Sequence, residues 1–523
     1  MLPFLTFDDC SNKMKVSIIG AGVSGMAAGC YLQMSGFHTV IYERQNSFGG
    51  LCTSWKKGEY TFESGFQWLL GSGPASTFYQ LWSELLDMKS IPFINHESRM
   101  DIEVRQTKGP NGDNVFHLYT NLNILKTYLV GISPEDQVII DKLITCMKKI
   151  QSFEIPPMIK KVPGLLSLFQ KSKYIRYLPL LWFLKRLQKE TNFTFARKLK
   201  SPFLREAFEL LFDGDELPLI IVTMPLAFND LLASGYPVGG ASVFVSRLKD
   251  KYLSLGGQIR YNSPVRKILL KNSGASGILL ENGEEVNSDI VLSAADWHFT
   301  IFNALDGKYT NHAIRELNRQ NKIKVYFSLF IVSLGIRRTF EGVSHFLRFP
   351  LDKDLISPDG TVYFRLESHI YNYDPTLAPE GKTVVSISFY TRNADYWIAL
   401  REHDRVQYNK VKNEFAEEVI ELMENKFGKI KEYTEEVDVA TPATFFRFTN
   451  NWKGSAQGWL PGKNLMARSP VENKLPGLKN FYYAGHWCIP GGGLPVAIKS
   501  ARDTVQIICK EFRQKFSAGS PDA

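Results

Sequence analysis

Gly20, Gly22 and Gly25 stand at G-x-G-x-x-G spacing, and an acid, Glu43, follows about 20 residues on. Each glycine has a physical job in cradling a pyrophosphate. Gly20 permits a tight turn, Gly22 lets the backbone approach the phosphates, and Gly25 lets a helix pack closely on a strand. Ala21, Val23 and Ser24 fill the same turn and count with them as cofactor-binding residues, because the phosphates sit on the N-terminus of the helix that starts there. An acid at Glu43 suits a ribose with a free 2′-OH and disfavours a 2′-phosphate.

These residues need particular elements to hold them. A β-rich run at 15–19 precedes the triplet, and small residues continue it through Ala27, Ala28 and Gly29. The helix is expected to stop at Gly36 as a C-terminal cap, and a second strand, 38–42, delivers Glu43 at its end. Strand, triplet, helix, strand and acid in that order form a dinucleotide fingerprint, which a chance glycine turn does not reproduce.

Past Glu43 and Arg44 come Gly49-Gly50-Leu51, a Phe62-x-x-Gly65 pattern and a Gly71-x-Gly73-Pro74 turn. A P-x-G-G turn at 237–240 and the stretch FYYAGHWCIPGGGLPV at 481–496 complete a set that resembles FAD proteins of the amine oxidase superfamily. Phytoene desaturases, carotenoid isomerases and retinol saturases are the similar branches. The resemblance covers residues 14–90, 236–300 and 475–512, and it implies FAD as cofactor. It further implies that Gly65 to Trp68 pass the isoalloxazine, and that Val265 lies on the adenine-side strand. By the same resemblance, Gly485, Gly493, Leu494 and Val496 belong to a glycine loop and helix N-terminus facing the flavin pyrimidine edge, where the dipole stabilises negative charge. Two departures stand out: Leu51-Cys52 replaces the arginine many desaturases carry after the glycine pair, and His486 replaces the usual acid. The first places the chain nearer the isomerases and saturases. His486 reads equally as a functional or a packing histidine. The stretch 441–459, TPATFFRFTNNWKGSAQGW, reads either as a motif of the isomerase and saturase branches or as a loop with aromatic packing.

At 523 residues, 44% hydrophobic and 13% aromatic, the chain has material for several large cores. Six cysteines lie scattered without a C-x-x-C pair, so a reducing compartment is expected and a metal site is not. The N-terminus lacks a basic signal-peptide region, Met14 is a second candidate start, and no apolar run reaches the ~20 residues of a spanning helix. The net charge of +9 is concentrated: residues 151–205 carry +10 and the rest −1. That segment alternates leucines and aromatics with Lys and Arg, as interfacial helices do, and Tyr174, Tyr177 and Trp182 suit a headgroup boundary. A helix packed on the core with a solvated basic face fits the same pattern. No motif supports nucleic acid as a partner.

The expected architecture is α/β: a discontinuous Rossmann-type FAD-binding domain (14–100, 236–305, 466–515), a substrate or membrane-contact region (101–235), an inserted α+β substrate domain (306–465) and a disordered tail (516–523). The expected function, implied by the resemblance, is desaturation, saturation or isomerisation of a long apolar polyene or isoprenoid. The setting is cytoplasmic with peripheral contact to anionic membrane. An external quinone, oxygen or redox protein is expected as electron partner, since no second dinucleotide fingerprint is present. A flavin amine oxidase and a non-enzymatic prenyl escort are the alternatives. No triad or carboxylate pair marks catalytic residues, which leaves Trp68 and His486 as the candidates.

Overall fold

The computed structural model describes residues 13–152, 189–211, 218–320, 324–460 and 471–519. Strand β1 (Lys15–Ile19) is buried at four of its five positions and pairs in parallel with β2 (His38–Tyr42) on one side and Ile290–Ser293 on the other. Gln258–Arg260 and Phe481–Tyr483 complete a five-stranded parallel sheet drawn from three separate parts of the chain. A parallel sheet must be covered on both faces. Helix α1 (Val23–Met34), buried over its first ten residues, packs against Gly240–Ser254 and Gly493–Glu511 in one core with the sheet. The expected helix stops hold, with Gly36 at φ +89° and Gly256 at φ +87°. The hairpin around Asn282-Gly283 extends a three-stranded antiparallel sheet, Val265–Lys271, Gly274–Leu280 and Glu285–Asn287.

The second unit is a seven-stranded sheet in the order Thr434–Ala440, Ser328–Ile336, Thr383–Thr391, Val362–Ile370, Phe346–Ile356, Ser98–Glu103, Val115–Tyr119. The expected boundary at 100/101 therefore cuts a strand. Ser98–Glu103 joins Phe346–Ile356 in parallel, with Arg348 opposite Ile102, so strands of 98–119 share a sheet with strands of 328–440. Helix Arg405–Phe427 buries Phe415, Ala416, Val419 and Met423 against this sheet and presents its charged residues outward. The stretch at 441–449 is a short helix, Pro442–Thr449, started by a Thr441/Thr444 capping box with proline in the first turn.

The tail departs from expectation as far as Gly519. Phe516 packs its ring 5.7 Å from that of Tyr31, and the Ser517 and Gly519 amides donate to Ser35 Oγ and the Glu84 carbonyl. An aromatic residue just past the last helix found a core to cover. Most of the basic segment, 153–188, lies outside the described residues, including Tyr174, Tyr177 and Trp182. Its described end folds as packed helices, Asn192–Ala196 and Pro202–Glu209, with Phe195, Phe203 and Phe208 buried in the protein core. Among the described residues no helix is long and apolar enough to cross a membrane.

Candidate functional site

The carboxyl ends of the parallel strands open on one cavity of about 2570 Å³, bordered by the glycine turn, Glu43, the 485–496 loop and the inner face of the seven-stranded sheet. Open α/β sheets bind their ligands at this end. Single-ligand pockets usually measure ~300–1,000 Å³, so there is room for a dinucleotide beside a second long molecule.

The turn is built against itself. Gly20 sits at φ +97°, and a Cβ on Gly25 would lie 2.0 Å from the Gly20 carbonyl oxygen, so only glycine lets α1 start this close to β1. The Gly49 amide donates to the Ala21 carbonyl at 2.9 Å, laying the glycine pair alongside the turn. Gly22 differs from its neighbours. Its φ of −73° is ordinary, and a Cβ would meet only the Gly49 oxygen, at 3.9 Å. The fold itself does not require glycine there, which leaves a close-approaching ligand as the physical reason for it.

Glu43 is 8% exposed and accepts from the Ala21 amide at 2.7 Å and the Gln45 amide at 2.9 Å. Burial raises its pKa, partly opposed by those two N–H donors. Each carboxylate oxygen retains acceptor capacity toward the cavity, which is what a ribose diol needs.

Two helix N-termini face the same space. α1 begins at Gly22 and Gly493–Glu511 at Gly492, neither with a side-chain cap, and both first turns border the cavity. Their amides and positive dipole ends favour negative charge. Ser24 Oγ, in the first turn, is buried without a partner among the described residues.

His486 follows Gly485 at the end of strand Phe481–Tyr483, and burial lowers its pKa to about 4, so the ring is neutral at pH 7. Its Nε2 has no partner among the described residues and the residue borders the cavity. Asp296, after Ile290–Ser293, accepts from the Phe299 and Trp452 amides at 2.9 Å each, and burial carries its pKa up to about 7 against those donors. It ties the end of the parallel sheet to the 449–454 loop.

The remaining wall comes from the substrate sheet and from helices Gln137–Gln151 and Ile220–Asp230, with Met100, Ile150, Ile220, Met224 and Phe346 among its apolar members. Into it project Arg99, Arg348 and Glu367. Arg348 grips Glu367 Oε2 through Nε at 2.9 Å and Nη2 at 2.5 Å. Burial works to raise the Glu367 carboxyl, but Arg348 and His369 hold it at about 2.

The sequence model of the family described as flavin containing amine oxidoreductase matches residues 23–509. The chain belongs to that family. A 4,4′-diapophytoene desaturase (4,4′-diapolycopene-forming) of Methylomonas sp. is 22% identical, covering 97% of each chain. Prolycopene isomerase 1, chloroplastic, of an Oncidium hybrid cultivar is 24% identical over 91% of this chain and 80% of the relative. Among solved structures, wild-type putrescine oxidase bound to putrescine matches with a TM-score of 0.57 at 14% identity, over 95% of this chain and 99% of the other. At that identity the likeness is one of fold. Fold and homology together make the protein a flavin-dependent oxidoreductase or isomerase of the amine oxidase superfamily.

For a member of this family the expected site residues gather well. Gly20, Gly22, Val23, Ser24, Glu43, Arg44, Gly49, Gly50, Leu51, Gly65, Trp68, Val265, Gly485, His486, Gly493, Leu494 and Val496 all border the cavity. Ala21 and Gly25 do not: Ala21 has its N–H on Glu43, and Gly25 lies beneath the turn it makes possible. Tyr482 packs in the core, where it is 1% exposed and donates to Glu511. Sequence reasoning missed Arg99, Arg348, Glu367 and Asp296. Arg348 had a signal, since it is a charge flanked by apolar residues within a strand (FLRFPL), whereas Glu367 stands between Leu366 and Ser368 and had less. Arg99 alternates with Met100 in an ordinary half-polar strand and carried none.

Proposed function

We propose that the protein binds FAD along the cavity and acts on a long apolar polyene or isoprenoid, desaturating, saturating or isomerising it. One observation carries the reading: a single cavity joins an uncapped glycine turn, a buried ribose-type acid and a second uncapped helix N-terminus to an extended apolar wall. The residues fit the cofactor. Gly22 leaves room for a close ligand, Glu43 offers acceptors for ribose hydroxyls, and the buried orphan atoms of Ser24 and His486 await partners. Bound FAD supplies the two-electron chemistry of forming, reducing or moving a double bond.

The chain's own part is to orient and exclude. The N-terminal amides of Gly493–Glu511 would stabilise negative charge on the pyrimidine edge, and neutral His486 would hydrogen-bond the cofactor's polyol without adding charge. The curated relatives support a polyene substrate, since their names concern carotenoid desaturation and isomerisation. A peripheral membrane contact through 151–205 remains part of the proposal. Ile150 borders the cavity at the end of the helix leading into that segment, which suits a membrane-borne substrate. Equal liposome flotation by wild type and a variant with Lys185, Arg186, Lys198 and Lys200 changed to Gln would remove it.

The amine oxidase alternative meets a specific obstacle: the Arg99 guanidinium lies over the Trp68 ring, 4.8 Å from its centroid, where an amine cation would be repelled. The escort alternative leaves the phosphate turn without a purpose. The deciding experiment incubates FAD-loaded protein anaerobically with cis- and all-trans polyenes and separates products by chromatography. Conversion of a polyene supports the reading. Turnover of amines with untouched polyenes ends it.

A further inference from the structure

Arg99 borders the cavity's apolar wall and has no ion-pair counterpart among the described residues. It extends from strand Ser98–Glu103, its guanidinium lies over Trp68, and Nη1 donates to Asn229 Oδ1 at 3.1 Å. Among the described residues no carboxylate lies within ion-pair distance of it, and no second acceptor takes its other N–H groups. Arg348 stands nearby but already has Glu367. Met100, Ile150, Ile220 and Phe346 supply apolar surface to the same cavity. Burial and the repulsion from Arg348 lower the Arg99 pKa to about 10, which still leaves it charged at neutral pH. A cation against an apolar wall is costly unless something negative meets it.

We infer that Arg99 binds the carboxylate of a long apolar acid, so that the substrate class is a polyene or other long-chain carboxylic acid rather than a neutral hydrocarbon. The inference rests on the proposal that this cavity takes an apolar chain. A carboxylate matches the planar, two-pronged guanidinium and its positive charge. Trp68 holds the guanidinium plane from one face, and Asn229 fixes one prong, leaving the rest of the fork for the ligand. A head anchored at Arg99 fixes one end of the chain beside Trp68 and so sets its register along the apolar wall.

The test titrates FAD-loaded protein with all-trans-retinoic acid and with its methyl ester, reading the change in flavin absorbance. The expected result is that the acid binds about tenfold or more tightly than the ester, from the charge-assisted pair. Arg99→Met should erase that preference by weakening only the acid, and Arg99→Lys should retain part of it. The wild-type ratio needs no variant to fold. Ester binding with no preference for the acid, or a preference that survives Arg99→Met, overturns the role of Arg99 and leaves the apolar-chain reading standing. Binding of neither probe overturns both.

Discussion

Replacing Gly22 and Gly25 by alanine, one at a time, separates what the fold requires from what a ligand requires. At Gly25 the new methyl would sit 2.0 Å from the Gly20 carbonyl oxygen and 3.4 Å from Ala294 Cβ, so helix and turn must part. Overpacking of this kind costs about 1–3 kcal/mol, and backbone on both sides of the clash leaves little to relax. At Gly22 the methyl has 3.9 Å to its nearest neighbour and an ordinary φ, so the apoprotein loses only the N-cap preference for glycine over alanine, about 1 kcal/mol. The ligand pays differently: a methyl at the phosphate turn holds the pyrophosphate off the first amides of α1. Each charge-assisted hydrogen bond lost is worth about 1.5–3 kcal/mol, roughly ten- to a hundredfold in affinity. Apoprotein melting temperature and FAD affinity, by quenching of flavin fluorescence, are measured on both variants. Gly25→Ala should lose stability and affinity together, and Gly22→Ala should keep its melting point within about 2–3 °C while binding FAD at least tenfold more weakly. Unchanged affinity in Gly22→Ala, or a loss of stability equal to that of Gly25→Ala, would refute the reasoning.

Glu43→Ala strands the buried Ala21 amide and the part-buried Gln45 amide, and should cost about 1–3 kcal/mol of stability along with FAD affinity. Glu43→Gln, which keeps an acceptor, should fall between it and wild type, and equal losses in both would count against the hydrogen-bonding role. Asp296 has a folded pKa of about 7, above its unfolded value, so its contribution is fully present in acid and is lost as pH rises between about 4 and 7, by roughly 3–4 kcal/mol at most. The melting-temperature advantage of wild type over Asp296→Asn should therefore shrink from pH 5 to pH 8, and a constant gap would show that the carboxyl does not titrate in that window. NADH or NADPH alone should reduce the bound flavin slowly, since the chain carries one dinucleotide fingerprint. Stopped-flow bleaching by a nicotinamide at the rate of polyene turnover would contradict that.

The parallel sheet and the residues that border the cavity at its end were legible because their signals are local. A glycine triplet, a capping Gly36 and an acid at a strand end report backbone geometry within a few residues of themselves. The C-terminal contribution was legible for the same reason, since Gly485 and 491–496 mark a strand, loop and helix in sequence order. The substrate wall was not, because it is assembled from distant strands. Nothing near Ser98–Glu103 announces that it pairs with Phe346–Ile356, and that pairing is what brings Arg99 toward Arg348. Tyr482 was legible as a packing residue, since its strand, Phe481–Tyr483, is apolar and aromatic throughout and is buried at all three positions. The final turn of chain misled through composition, as small polar residues after Phe516 hid the contacts that Phe516, Ser517 and Gly519 make.

The most direct test of the central claim is the cofactor content of the purified protein, read by absorbance and by mass spectrometry of what denaturation releases. The account predicts one FAD per chain, either as purified or after incubation of apoprotein with FAD. A colourless protein that takes up no FAD from excess, or one that releases a different dinucleotide in its place, would contradict it.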